Sequence, residues 1–268
     1  MKTPLRALIF DLDDTLLVDE EVSQETLKAV AAHVGASSQL KQEAFATTVR
    51  VVAKRHWQEG PCHPFCHAIG ISAMECLWGN FLGESEKLHA LRAWALQYRE
   101  QVFQEVLEDQ KVSSQELEKK SKECAALFVQ ERRARQRLFP DVAPLLQELS
   151  QQYHLGLLTN GAPDLQREKL APSGLEKFFS VVIISGEHGI GKPKPVIFEK
   201  MLEQLGVTAS EVIMIGNSLE RDIAGARAAG IRSVWIDLGD AKEKSDVQPD
   251  FRITELSELL PILREERN

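Results

Sequence analysis

Three carboxylates, Asp11, Asp13 and Asp14, crowd together directly after an apolar run, Ala7–Phe10. Like charges packed at a strand end repel one another and raise each other's pKa unless a cation or a bound substrate compensates. Further along, other groups of chemical interest recur at comparable positions. Thr159-Asn160-Gly161 follows one apolar run. Ser185-Gly186-Glu187 follows another and leads to Lys192-Pro193, and Gly216-Asn217-Ser218 follows a third, with Asp222 just beyond. Together they offer carboxylates for nucleophilic and acid–base work, a hydroxyl, a lysine and glycine-bearing turns.

Taken singly, each group has a plain reading. An aspartate after a strand commonly caps a turn or helix, Asn-Gly is strong turn chemistry, and a lysine before a proline can be an exposed loop residue. Those readings do not account for the arrival of these groups, in order, at four successive strand ends. Ligands of open parallel sheets collect at the carboxyl ends of the strands, so the elements that carry these residues decide the matter.

Five short runs rich in Val, Ile and Leu, with little alternation, read as parallel strands buried on both faces: Ala7–Phe10, His154–Leu158, Val181–Ile184, Val212–Ile215 and Ser233–Ile236. Helical patterns intervene at Val142–Gln151, Asp164–Ala171, Pro195–Leu205, Leu219–Ala229 and Thr254–Leu263. This alternation predicts an α/β fold, a doubly wound, Rossmann-like parallel sheet. Between residues 19 and 134 no comparable strand appears. The periodicity there is helical, as in Leu88, Leu91, Trp94, Tyr98, Val102 and Val106, so the expectation is an all-helical domain inserted between residues 1–18 and 135–268. Gln130–Arg137 leads back to the core, and its arginines read as a solvated helix face.

The 268-residue length suits one large domain carrying a smaller one, and 43% hydrophobic residues are ample for a core. A net charge of −8 argues against a general nucleic-acid binder. The first apolar run is too short for a signal peptide and no stretch reaches the length of a membrane span. Four cysteines lack the density of a disulfide framework and point to a reducing compartment, the cytoplasm. "SGEHGIGK" invites a dinucleotide-loop reading, but its glycine spacing is wrong and the following prolines prevent a helix from starting there. "CHPFCH", residues 62–67, offers zinc-ligand types without a second half to close a tetrahedron. It reads as lining of the helical domain, with Trp57 and Trp78.

The strand-end residues resemble the four motifs of the haloacid dehalogenase-like phosphohydrolases: "DLDDT", "LLTNG", "GKPKPVIF" and "IGNSLERDI", in that order. The helical insertion is similar to that family's first class of cap domain. The resemblance implies Asp11 as a nucleophile that becomes an aspartyl-phosphate, and Asp13 as the acid–base that protonates the leaving alkoxide and later activates water. It implies Thr159 and main-chain N–H groups near Asn160 as phosphate ligands, with Lys192 neutralising charge on the phosphoryl oxygens and Asp11. Mg²⁺, or Co²⁺ or Mn²⁺ in its place, would be held by Asp11, the main-chain carbonyl of Asp13, Asn217 and Asp222. Asn217 departs from the Asp that often stands there and supplies an oxygen without charge. Asp14 is expected to turn outward or cap its loop, Lys194 to lie on the surface, and Glu187 to orient Lys192.

With Asp13 present, phosphoester hydrolysis is favoured over dehalogenation, since a halide leaving group needs no proton. A cap that seals a small site favours a small phosphorylated metabolite. "LLTNGAPDLQREKL", and "LWG" in the insertion, resemble a bacterial subgroup assigned as phosphoserine phosphatases, which puts O-phosphoserine first. Nucleotide monophosphates, phosphoglycolate and acylneuraminate 9-phosphate follow, and a non-catalytic phosphate-binding relative is the reading from another class. Signalling receiver domains share the acid–lysine cluster but are shorter, lack an insertion and do not place the acceptor on the first strand. Oligomeric state is not legible in the sequence.

Overall fold

The computed structural model describes residues 3–36, 39–239 and 246–266. The chain enters on strand β1 (Ala7–Phe10), turns into a two-residue strand β2 (Leu17–Val18), and then runs through six helices. These are α1 (Glu20–His33), α2 (Gln39–Glu59), α3 (His63–Ile69), α4 (Ala73–Cys76), α5 (Glu86–Asp109) and α6 (Ser114–Ala134). It returns on β3 (Arg137–Leu138) and continues as α7 (Val142–Ser150), β4 (His154–Thr159), α8 (Pro163–Leu170), β5 (Val181–Ile184), α9 (Ser185–His188) and α10 (Pro195–Leu205). Then follow β6 (Val212–Gly216), a π-helical turn over Leu219–Ile223, α11 (Ala224–Ala228), β7 (Arg232–Ile236), β8 (Phe251–Ile253) and α12 (Leu259–Glu266).

Six strands form one sheet in the order β5-β4-β1-β6-β7-β8, every neighbouring pair parallel. The first strand lies in the interior of the sheet because the chain builds outward on one side of it (β4, β5) and then on the other (β6, β7, β8). That reversal of strand order opens a crevice at the carboxyl ends of β4, β1 and β6, where ligands of such sheets bind. Consecutive residues of β1 serve opposite faces. Leu8 and Phe10 join one apolar layer with α7 and α12, whereas Ala7 and Ile9 join another with Ile197, Phe198 and Met201 of α10. Burial on both faces is why these strands read as continuous apolar runs.

By backbone contacts the chain forms two compact units, one of Met1–Val18, Arg137–Gly161 and Gln166–Asn268, the other of Asp19–Gln136 with Ala162–Leu165. The helical unit has its own core, around Phe45, Trp78, Phe81, Tyr98, Phe103 and Phe128. The Tyr98 hydroxyl lies within bonding distance of the carbonyls of Ala53 (3.0 Å) and Ala73 (2.8 Å). Cys62, Cys66, Cys76 and Cys124 are buried free thiols in or beside this core. His63 stacks edge-on against Trp57 at 4.4 Å. Among the described residues no group of three or more His, Cys, Asp or Glu is placed to hold a metal ion.

Three local readings change. The antiparallel pair β2–β3 has no counterpart in the sequence pattern, because two-residue strands are too short to show a period. The expected helix from Thr254 begins only at Leu259: Phe251–Ile253 pairs with β7, and the Glu258 carboxylate caps a tight turn at Thr254 and Glu255. The arginines before β3 are not a solvated face. Arg132 is 2% exposed, ion-paired with Asp19, and its guanidinium lies 4.7 Å from the centre of the Trp78 ring.

Candidate active site

The candidate residues all belong to the sheet-bearing unit, at the carboxyl ends of its strands. Asp11 is the first residue after β1, and its N–H donates to the Ile215 carbonyl of β6 at 3.0 Å, which fixes it to the sheet. Asp222 comes from the π-helical turn after β6. Lys192 arrives from the loop after α9 and places its ammonium between them, Nζ donating to Asp11 Oδ1 and Asp222 Oδ1 at 2.6 Å each. The Lys192 and Asp222 side chains are 2% and 0% exposed, while the Asp11 side chain keeps 12% of its surface open.

The neighbouring main chain is shaped for this contact. A Cβ at Gly216 would overlap the Asp222 carboxylate, so only glycine lets that side chain fold back against the strand end. The second Asp222 oxygen accepts the Ser218 N–H at 3.0 Å. Asn160 grips the lysine's own backbone, donating from Nδ2 to the Lys192 carbonyl (2.9 Å) and accepting the Lys192 N–H at Oδ1 (2.8 Å). A Cβ at Gly191 would meet that Asn160 amide, which is why a glycine precedes the lysine. Asn160 therefore positions Lys192 through its side chain, a role the sequence did not reveal.

Charge in this cluster is unbalanced: one ammonium faces two carboxylates. Burial pulls the Lys192 pKa down, but attraction to Asp11 and Asp222 outweighs it and the net direction is up. Burial pushes Asp11 up, Lys192 opposes that, Asp222 reinforces it, and the carboxyl rises from 3.8 to about 6. Both shifts have one meaning. The ammonium stays charged, and one acid remains uncompensated.

Asp13 belongs to a second cluster. Its Oδ2 accepts from Lys169 Nζ at 2.9 Å and from Gln166 Nε2 at 2.9 Å. Gln166 Nε2 also reaches Thr159 Oγ1 at 2.6 Å, so the hydroxyl's own proton must point elsewhere. Gln166 and Lys169 are each 1% exposed and lie one turn apart on α8. Neither was singled out from sequence, because "LQREKL" reads as a polar, solvent-facing stretch. Gly161, at φ 145°, sits so close to the Gln166 side chain that a Cβ would press on it, and its N–H donates to Ser185 Oγ at 2.9 Å.

The remaining expectations fall out plainly. Asn217 stands at the end of β6, where its main-chain carbonyl accepts from Trp235 Nε1 at 2.8 Å. Asp14 adopts a left-handed backbone (φ 54°), its N–H donating to Leu17 O at 2.7 Å. Lys194 is exposed. Glu187 does not orient Lys192; it pairs with the Arg167 guanidinium.

Asp11 and Asp222 both reach the Lys192 ammonium, and among the described residues no third acidic side chain joins them in a metal-holding group. The Asp13 Oδ2 is turned to Lys169 and Gln166. One or two carboxylates, completed by neutral oxygens, water and substrate phosphate, is the donor set Mg²⁺ takes, and the surplus negative charge suits it.

Known proteins agree with this architecture. The haloacid dehalogenase-like hydrolase family matches residues 5–230. A Thermus thermophilus protein named phosphoserine phosphatase is 41% identical over 95% of this chain and 98% of its own. Glyceraldehyde 3-phosphate phosphatase of Methanopyrus kandleri is 28% identical over 97% of this chain and 98% of its own. The crystal structure of a HAD phosphatase from Thermococcus onnurineus, 25% identical, superposes with a TM-score of 0.56 over 98% of this chain and 100% of that one. The chain belongs to the haloacid dehalogenase-like hydrolase family. Within that family it is a phosphatase.

Proposed function

We propose that the chain hydrolyses a small phosphomonoester, O-phosphoserine before others, through an aspartyl-phosphate on Asp11. One observation carries the chemistry: a buried lysine clasped between Asp11 and Asp222 at the carboxyl edge of the sheet. An ammonium there holds the Asp11 carboxylate in one orientation and lies where phosphoryl oxygens would gather charge. The Asp11 oxygen attacks phosphorus while the ester P–O bond breaks, and the departing oxygen takes a proton from Asp13 to leave as the alcohol. Water then gives a proton back to Asp13 as its oxygen attacks the same phosphorus, releasing inorganic phosphate and restoring Asp11. Thr159, whose hydroxyl accepts from Gln166 and lies 3.5 Å from the Asn160 carbonyl, would turn its own proton toward a bound phosphoryl group. Main-chain N–H groups near Asn160 join it. Asp11 and Asp222, with Asn217 and the Asp13 main-chain oxygen, would hold Mg²⁺. The ion screens charge between two anionic reactants when bound.

The substrate rests on kinship. The relative at 41% identity carries phosphoserine in its name, and the one at 28% carries glyceraldehyde 3-phosphate. Four buried free thiols favour action in the cytoplasm. The test is a panel of phosphomonoesters compared by kcat/KM in Mg²⁺. O-phosphoserine should rank first, EDTA should abolish turnover, and Asp11→Asn should lower kcat at least ~10³-fold. A different leading ester would overturn the substrate and leave the chemistry; full activity of Asp11→Asn would overturn both.

A further inference from the structure

We infer that Lys169 and Gln166 are positioning residues for the leaving-group step: together they aim Asp13 and tie it to the phosphate-binding hydroxyl of Thr159. The inference rests on the proton-donor role proposed for Asp13. Nothing in the four strand-end motifs calls for a second buried lysine, yet Lys169 is 1% exposed, and its ammonium lies 2.9 Å from Asp13. Burying a flexible ammonium is costly, and packing alone would be served as well by Leu or Met. Gln166, one turn earlier on α8, donates to the same Asp13 oxygen and to Thr159.

The geometry has a specific consequence. Two N–H donors converge on Oδ2 and make it an acceptor, so a proton carried by Asp13 resides on its other oxygen, Oδ1. Asp13 is thus fixed in rotation, with its proton on one face. Because Gln166 bridges Asp13 to Thr159, the acid that serves the leaving oxygen and the hydroxyl that holds the phosphoryl group keep one spacing. The step served is the one already balanced above. As the Asp11–phosphorus bond forms and the ester P–O bond breaks, the Oδ1 proton passes to the departing oxygen.

Leaving groups of different basicity separate this role from a structural one. An alkyl ester such as O-phosphoserine expels a strongly basic alkoxide that needs the proton; p-nitrophenyl phosphate expels a weakly basic phenolate that does not. The quantity to read is kcat/KM, which ends with departure of the leaving group and excludes the later hydrolysis. In the full-length protein with Mg²⁺, Lys169→Met should lower the alkyl-to-aryl ratio of kcat/KM by about 100-fold, within the range of general acid catalysis. Lys169→Arg should restore most of it. Gln166→Met should lower the ratio about tenfold by the same reasoning. Asp13→Ala should show the full drop, and adding Lys169→Met to it should change the ratio no further.

Equal loss on both esters, or no loss, in Lys169→Met and Gln166→Met overturns the inference while Asp13→Ala still discriminates. If Asp13→Ala itself fails to discriminate, the proton-donor reading falls and this inference falls with it. Should Lys169→Met fold poorly, the Gln166→Met ratio and the Lys169→Arg rescue decide the matter.

Discussion

Two buried lysines serve the same sheet edge in different electrostatic company. Lys192 is shared by Asp11 and Asp222, so its cluster carries surplus negative charge. Lys169 faces Asp13, whose same oxygen also accepts from a neutral amide, Gln166. The difference divides the labour. On the proposed function, the first cluster would supply the reactive carboxylate and hold the metal, and the second would hold an acid in place. Removing a lysine should therefore have unlike consequences in the two.

The largest effect belongs to Lys192→Met. It leaves Asp11 and Asp222 buried side by side with no compensating charge, and breaking a buried pair in this way costs roughly 3–5 kcal/mol. Losing the electrostatic stabilisation of the transferring phosphoryl group lowers kcat by about 10³-fold. Urea denaturation of the metal-free protein and steady-state kinetics measure the two. Mg²⁺ should recover part of the lost stability, since a cation can take the ammonium's place between the acids. If Lys192→Met cost no more than Lys169→Met, and on the same substrates, the proposed contrast between the clusters would be wrong.

Next in size is the pH dependence of Asp11. Its carboxyl, raised chiefly by burial to about 6, is a nucleophile only when ionised. At low Mg²⁺, kcat/KM should fall about tenfold for each pH unit below that value. Saturating Mg²⁺ favours the ionised form and should move this limb to lower pH. The linkage to stability runs the other way. A carboxyl with a raised folded-state pKa favours the fold below its unfolded value of 3.8, and that contribution is lost as pH rises through about 6. Metal-free protein should therefore gain less stability between pH 4 and 6 than its other carboxylates alone would give. An acid limb that stays put at every Mg²⁺ concentration would separate Asp11 from the metal.

The same contrast bears on what could be read from sequence. Asp11 and Asp222 were legible because each comes soon after a strand whose burial on both faces leaves an apolar run, and Lys192 because it lies in the segment that leads on from another. Gln166 and Lys169 were not, because a helix with one polar face looks alike whether that face meets water or another polar cluster. Arg132 escaped for the same reason: only tertiary packing sets its guanidinium against Trp78. Period shows which residues share a face, and says nothing of what that face meets.

A finer probe of the first cluster is Trp235→Phe. Asn217 supplies no charge to the proposed cation site, so its loop must be held in place by neutral contacts. One is printed on the fold: the indole N–H of Trp235 donates to the Asn217 main-chain carbonyl at 2.8 Å. The indole is itself held, with the Arg252 guanidinium 5.2 Å from its ring centre and paired to Asp237. Phenylalanine keeps an aromatic ring in the sheet, smaller than the indole, and deletes the donor. A neutral hydrogen bond contributes about 1 kcal/mol net, which in the Mg²⁺ concentration for half-maximal activity amounts to a rise of roughly fivefold at most. The rate at saturating Mg²⁺ should hardly change, because no group that touches the substrate has moved. A fall in that saturated rate instead would mean that the Asn217 loop shapes the phosphate site itself, and the separation between charge-holding and acid-aiming residues would have to be redrawn around β6.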